Sequence, residues 1–199
     1  MDKDTNAVKN VVIPQIKDIE NISFAANYFI YHVGENMHKM APFLVLIPLR
    51  NHHMLFLFYF IGFCISVILN FIMKFAIQQR RPCINVFLFE QCLKNGETHV
   101  KRNNKKYFIY GMPSGHSQIV GYTLSFIVVF LKDKWISFIF FMLTILTMYQ
   151  RILYQHHTLL QTLVGVSIGL TSGLIMHHYS VKYIEGPLYE KPDDDCLIR

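Results

Sequence analysis

Apolar and polar positions alternate along this chain in long blocks rather than in short periods. Residues 53–77 are almost wholly apolar, with Asn70 and Lys74 the only strongly polar interruptions after His53. That run is long enough to cross a hydrocarbon core of ~30 Å as a helix. Residues 116–131, 135–149 and 158–176 form three more apolar segments, the first two joined by the polar turn Lys132, Asp133, Lys134. Those two fall short of the ~20 residues a span prefers, and polar site residues at their ends would make up the length. The pattern predicts four clear spans.

Residues 24–49 read less simply. Apolar stretches at 24–33 and 40–49 are separated by Glu35, Asn36, His38 and Lys39, and Pro42 and Pro48 add breaks. An interfacial helix followed by a short or kinked span satisfies that pattern. Residues 1–20 mix charges with short apolar pieces and show no secretory signal. The tail carries Pro187, Pro192 and the run Asp193, Asp194, Asp195, as a solvated end would. The expected organisation is a polar segment at 1–23, a membrane-embedded domain at 24–180 and an acidic solvated tail at 181–199. The fold class is all-α, a polytopic membrane helical bundle with four clear spans and one ambiguous N-terminal one.

Composition agrees: 52% of the residues are hydrophobic and only 16% charged, lean in charge for a soluble domain. The net charge of +6 raises nucleic acid as a partner, but seven of the 19 basic residues lie between Arg80 and Lys106, between two apolar blocks. A basic pocket for an anion at a membrane surface fits that clustering better than a nucleic-acid face. Carboxylates are scarce where chemistry would need them, Asp133 being the only one between Thr98 and Ile184. A hard-metal site and an aspartyl nucleophile are therefore disfavoured, and no metal or other cofactor is expected. Four cysteines are too few for a disulfide scaffold. Cys83 and Cys92 share the basic loop and would pair only in an oxidising lumen; free thiols are the plainer reading. Cys196 opens a terminal Cys-Leu-Ile-Arg, whose final Arg is atypical of a prenylation box.

If the four clear helices alternate, the segment 78–112 and the turn 151–157 emerge on one face of the membrane. Lys74 and Arg81 are seven residues apart, two turns on a continued helix, with Pro82 placed to end it. Pro113, Ser114, Gly115 and His116 open the next apolar helix, where Ser114 can cap and free N–H groups form a seat for phosphate. His116 stands on its rim as a proton donor. Arg151 and His157 frame the last turn, and Gln161 follows His157 by four residues on the same helical face. A side-chain oxygen there can accept the Nδ1 proton of His157 and leave Nε2 free as a nucleophile. Taken singly, each piece also reads as ordinary interfacial snorkelling, a capping turn or a polar turn.

In order and spacing the three pieces, Lys74 to Pro82, Pro113 to His116 and Arg151 to His157, resemble the signature of the type 2 phosphatidic acid phosphatase and haloperoxidase superfamily. The resemblance covers roughly residues 40–177. It implies a helical bundle, a lipid phosphate as substrate and phosphate transfer through a phosphohistidine. By the family's roles His157 would be the nucleophile and His116 the acid that protonates the leaving group and then activates water. Lys74, Arg81, Ser114, Gly115 and Arg151 would form the phosphate cradle. The chain departs from the family pattern at Gln150, where Ser is usual, and at Gln161, where Asp is usual.

Gln161, with the strings around Arg81, His116 and His157, is similar to the dolichyl diphosphate phosphatase branch, which commonly has Ser at the position of Gly115. That likeness implies a polyprenyl diphosphate cleaved to the monophosphate, in the endoplasmic reticulum. A diphosphate leaves as a phosphate, far more easily than an alkoxide, so a weaker partner for His157 is tolerable. Two other readings stay open: a broader phosphatidate-type phosphatase, and a catalytically silent membrane protein that binds an anionic lipid. Asn21-Ile22-Ser23 is a glycosylation sequon on the side of the site loops if a single span precedes His53.

Overall fold

The computed structural model describes residues 4–102 and 105–185. The acidic run 193–195 and Cys196 lie outside the described residues. The elements, in chain order, are α1 (Asp4–Leu49), α2 (His53–Ile77), α3 (Val86–Lys94), strands β1 (His99–Arg102) and β2 (Lys105–Phe108), then α4 (Gly115–Leu131), α5 (Lys134–Leu153) and α6 (Leu159–Glu185). The two strands form an antiparallel hairpin in which Val100 faces Tyr107.

Helix α4 is the axis of the bundle. Ten of its 17 residues are buried, against six of the 25 in α2. The six on α2 (Leu55, Tyr59, Gly62, Ser66, Asn70, Lys74) recur at intervals of three and four and so form one stripe facing α4. The rest of α2 is apolar and exposed, Ile65, Ile68, Phe71 and Ile72 among them, as a lipid-facing surface must be. Among the described residues, three helices are long and apolar enough to cross a membrane, at 53–77, 134–153 and 159–184. Expectation and structure differ here, because α4 is too short for that class. At ~1.5 Å per residue its 17 residues reach ~25 Å. Its first three turns are packed mostly in protein, while Val128 and Val129 near its end are exposed.

Helix α6 lies against α4 at backbone distance. A Cβ at Gly169 would fall on the carbonyl oxygen of Gln118, and one at Gly165 would stand 2.5 Å from that of Ser114. Small residues at four-residue spacing are the usual device for close helix approach in lipid.

Helix α1 is continuous across residues 24–49, where a break or kink was expected. A proline inside a helix forfeits a hydrogen bond and clashes with the preceding turn, yet α1 passes through Pro42 and Pro48. Met37, Ala41, Val45 and Leu49, each four residues after the last, are all buried. Val45 and Leu49 pack with Leu55, Tyr59, Tyr122, Phe126 and Phe140 in the main apolar core. That seam holds the helix together where its prolines would divide it.

Between α2 and α4 the chain makes an excursion with a small core of its own, in which Ile84, Cys92, Ile109 and Tyr110 are buried and Leu88, Phe89, Val100 and Phe108 pack around them. Cys83 and Cys92 are free thiols. The excursion closes on itself: Arg80 and Tyr110 form a bridge, and the Gly111 amide donates to the Gln79 carbonyl (2.6 Å). Its two ends meet beside the start of α4.

Candidate active site

Lys74, in the last turn of α2, is buried and donates through Nζ to the Pro113 carbonyl (2.7 Å) and to that of Tyr110 (3.5 Å). Helix α2 stops at Ile77, four residues before Arg81, with Gln78 in the left-handed region (φ 50°). Arg81 is therefore not two turns along the same helix, as the spacing implied. Backbone pairing wins over helix propagation here, because the residues after α2 join the bridge to Tyr110. Arg81 sits on this extended segment, its amide donating to the Ile109 carbonyl (3.3 Å) and its Nε to that of Tyr110 (3.3 Å). Both cations converge on the Tyr110 carbonyl by different routes.

Ser114 caps α4, though its Oγ accepts from the Ser117 amide only at 3.5 Å and from the Ser117 hydroxyl at 3.0 Å. The Ser114 amide donates to the Gln161 carbonyl (3.0 Å), which stitches the start of α4 to α6. The N–H groups of Gly115 and His116 come before the first intrahelical bond of α4, at the electropositive end of the helix. Gly115 has a packing reason as well, since a Cβ there would stand 3.0 Å from Oδ1 of Asn70. Asn70 was read only as an interruption in the apolar run. It donates to Gln118 Oε1 (2.7 Å) and Pro113 O (3.4 Å), and Gln118 donates on to Ser66 O (2.8 Å). Ser66, Asn70 and Lys74 recur every four residues, and that polar stripe was the available signal.

His157 is 2% exposed and lies in the turn between α5 and α6. Its Nδ1 is 2.8 Å from the Gly111 carbonyl and 3.3 Å from Gln161 Oε1. A carbonyl oxygen only accepts, so Nδ1 carries the proton and Nε2 keeps its lone pair. Burial, and then Arg81, Lys74, Arg151 and His116, hold His157 well below the ordinary histidine pKa. The ring is a neutral base surrounded by cations. Burial, and next Arg151, lower Arg81 from its ordinary range to about 10, so it stays charged at neutral pH.

The closest oxygen to Nδ1 is thus a backbone carbonyl, and the Gln161 amide is mainly engaged elsewhere. Thr158 and Gln161 form a capping box: Thr158 Oγ1 accepts from the Gln161 amide and Gln161 Oε1 accepts from the Thr158 amide, both at 3.2 Å. Gln161 Nε2 donates to Gln79 Oε1 (2.9 Å) and Arg80 O (3.0 Å). A carboxylate could not make those two bonds, which accounts physically for an amide at this position. The sequence Thr-Leu-Leu-Gln at 158–161 carried that signal.

Arg151 lies in the last turn of α5, and its carbonyl accepts from the amides of His156 (3.0 Å) and His157 (3.1 Å). Its guanidinium pairs with Glu35 of α1. The neighbouring Gln150 is fully buried and packs against Gly34, where any Cβ would strike its side chain. His116, in the first turn of α4, meets His38 with ring centroids 3.8 Å apart and the rings tilted by 51°. The expected set Lys74, Arg81, Ser114, Gly115, His116, Arg151, His157 and Gln161 is therefore gathered at one end of the bundle. Glu35 and His38 join it from a helix to which no role was assigned. Among the described residues no group of three or more His, Cys, Asp or Glu side chains is arranged to hold a metal.

Residues 55–185 match the PAP2 superfamily, and the chain belongs to it. Membership implies a membrane phosphatase acting on lipid phosphates in a bilayer. No curated protein matches the chain, and no solved structure does.

Proposed function

We propose that this protein hydrolyses a polyprenyl (dolichyl-type) diphosphate to the monophosphate through a phosphohistidine at His157, without a metal. The observation that carries the reading is the His157 ring, its Nδ1–H directed at the Gly111 carbonyl and its Nε2 left as a lone pair among Lys74, Arg81 and Arg151. Nε2 attacks the terminal phosphorus, and the bond to the bridging oxygen breaks. His116 gives that oxygen a proton as the lipid monophosphate leaves, then takes one from the water that attacks the phosphohistidine and releases orthophosphate. The three cations and the α4 N-terminus stabilise the charge on the transferred group. Gln161 supports a diphosphate, because a neutral amide stabilises a developing imidazolium less than a carboxylate would, and phosphate is the easier leaving group. On this reading the protein works in the endoplasmic reticulum.

The test is phosphate release by the purified chain in detergent with EDTA, offered a polyprenyl diphosphate and a phosphatidate side by side. The diphosphate should be the better substrate, EDTA should leave the rate unchanged, and His157→Ala should lower it at least ~10³-fold. Faster cleavage of phosphatidate would establish the broader lipid phosphatase instead. No turnover of either, with lipid binding that survives His157→Ala, would establish a silent lipid-binding protein.

A further inference from the structure

The ion pair between Arg151 and Glu35 joins the site to a helix outside the matched residues 55–185. The Arg151 side chain is 4% exposed and that of Glu35 is 36% exposed, so the cation is fixed in the interior while the carboxylate stands at its edge with a path to water. Pairing with Glu35 leaves Arg151 Nε and His116 Nε2 buried without a partner. Buried donors of this kind are ordinarily matched by an acceptor, and these two nitrogens therefore carry hydrogen-bonding capacity that Glu35 does not satisfy. Helix α1 is seated closely at this level, with Gly34 against Gln150 and His38 against His116.

We propose that Glu35 is a resident counter-anion of the phosphate cradle, paired with Arg151 while the site is empty and exchanged for a phosphate oxygen when substrate or product binds. The inference rests on reading Lys74, Arg81 and Arg151 as a phosphate seat. On exchange the guanidinium passes from carboxylate to phosphate and Glu35 turns outward into solvent. A buried cation is thus never left alone, and orthophosphate, which must leave after each turnover, meets a built-in competitor. Glu35 is a positioning residue in this scheme, acting on the reaction through Arg151.

The experiment is binding of inorganic phosphate to the full chain in detergent, read as ligand-dependent thermal stabilisation and thus without turnover. Glu35→Gln, which keeps the shape and removes the charge, should bind phosphate about tenfold more tightly than the parent, because the competitor is gone. Glu35→Asp, which keeps the charge but shortens its reach, should fall between the two. Phosphate affinity that is unchanged or weaker in both variants would overturn the proposal, and if the Gln variant does not fold, the Asp variant decides by the same criterion. Hydrolysis of the polyprenyl diphosphate is not measured here, so failure of that reading and failure of this one are separate results. Absence of phosphate binding in the parent and in both variants would overturn the seat and the exchange together.

Discussion

Replacing Gln161 by alanine separates two jobs that one side chain performs in the site. The substitution removes the Oε1 bond to the Thr158 amide and the two Nε2 bonds to Gln79 and Arg80, together with the 3.3 Å contact between Oε1 and His157 Nδ1, while His157 keeps its 2.8 Å bond to the Gly111 carbonyl. At ~0.5–1.5 kcal/mol net for each of three bonds, the loss is about 2–4 kcal/mol. Desolvation adds little, because Gln79 and Thr158 are exposed and water can take the place of the amide. For a chain of this size such a loss lowers Tm by roughly 4–16 °C. The tautomer of His157 is still set by Gly111, so on the proposed mechanism kcat should fall less than ~10-fold below the unfolding range. The assay is thermal unfolding of the purified variant in detergent, paired with turnover of a polyprenyl diphosphate at a temperature where both proteins are folded. A loss of ~10³-fold in kcat with Tm unchanged would refute the reasoning, because it would make Gln161, not the Gly111 carbonyl, the group that orients His157.

Three further outcomes follow from the same geometry. The lowered pKa of His157 keeps its nucleophilic neutral form populated as the solution is acidified, so kcat/KM, allowing for substrate ionisation, should not fall through its midpoint at or above the ordinary value of ~6.5; a midpoint there would contradict the cation-ringed ring. Gly169→Ala pushes a methyl group into the Gln118 carbonyl and should cost about 1–3 kcal/mol, seen as a lower Tm, whereas Thr171→Ala on the exposed face of α6 should not. Asn70→Ala leaves Gln118 Oε1 buried without its donor and should cost about 1–3 kcal/mol; a Tm within a degree of the parent would show that the Ser66–Gln118–Asn70 ladder is not a working bond network.

The spans were legible because a long apolar run between polar flanks has few other solutions in lipid, and α2 begins at His53 and ends at Ile77 where the pattern said. The site residues could be placed on one face by alternation alone, since each lies at the end of an apolar run. Two features were out of reach for different reasons. The course of α1 depends on burial of Val45 and Leu49 against residues far along the chain, which outweighs a local proline rule. The pairing of Glu35 with Arg151 spans 116 positions and leaves no local pattern. The end of α2 was misjudged for a related reason: Pro82 is a local signal, but Arg80 and Tyr110 pair across 30 positions and stop the helix first.

The close seating of α6 on α4 has a consequence for biosynthesis. A ribosome finishes α4 at Leu131, nearly forty residues before it reaches Gly169 of α6. Until then the Ser114 amide has no Gln161 carbonyl to bond, and the groove along Gln118 has no occupant. A chain that stops between His157 and α6 therefore carries the histidine and the cations, but lacks the Gln161 carbonyl that ties the start of α4 in place. On the proposed function, turnover would report that α6 has docked on α4.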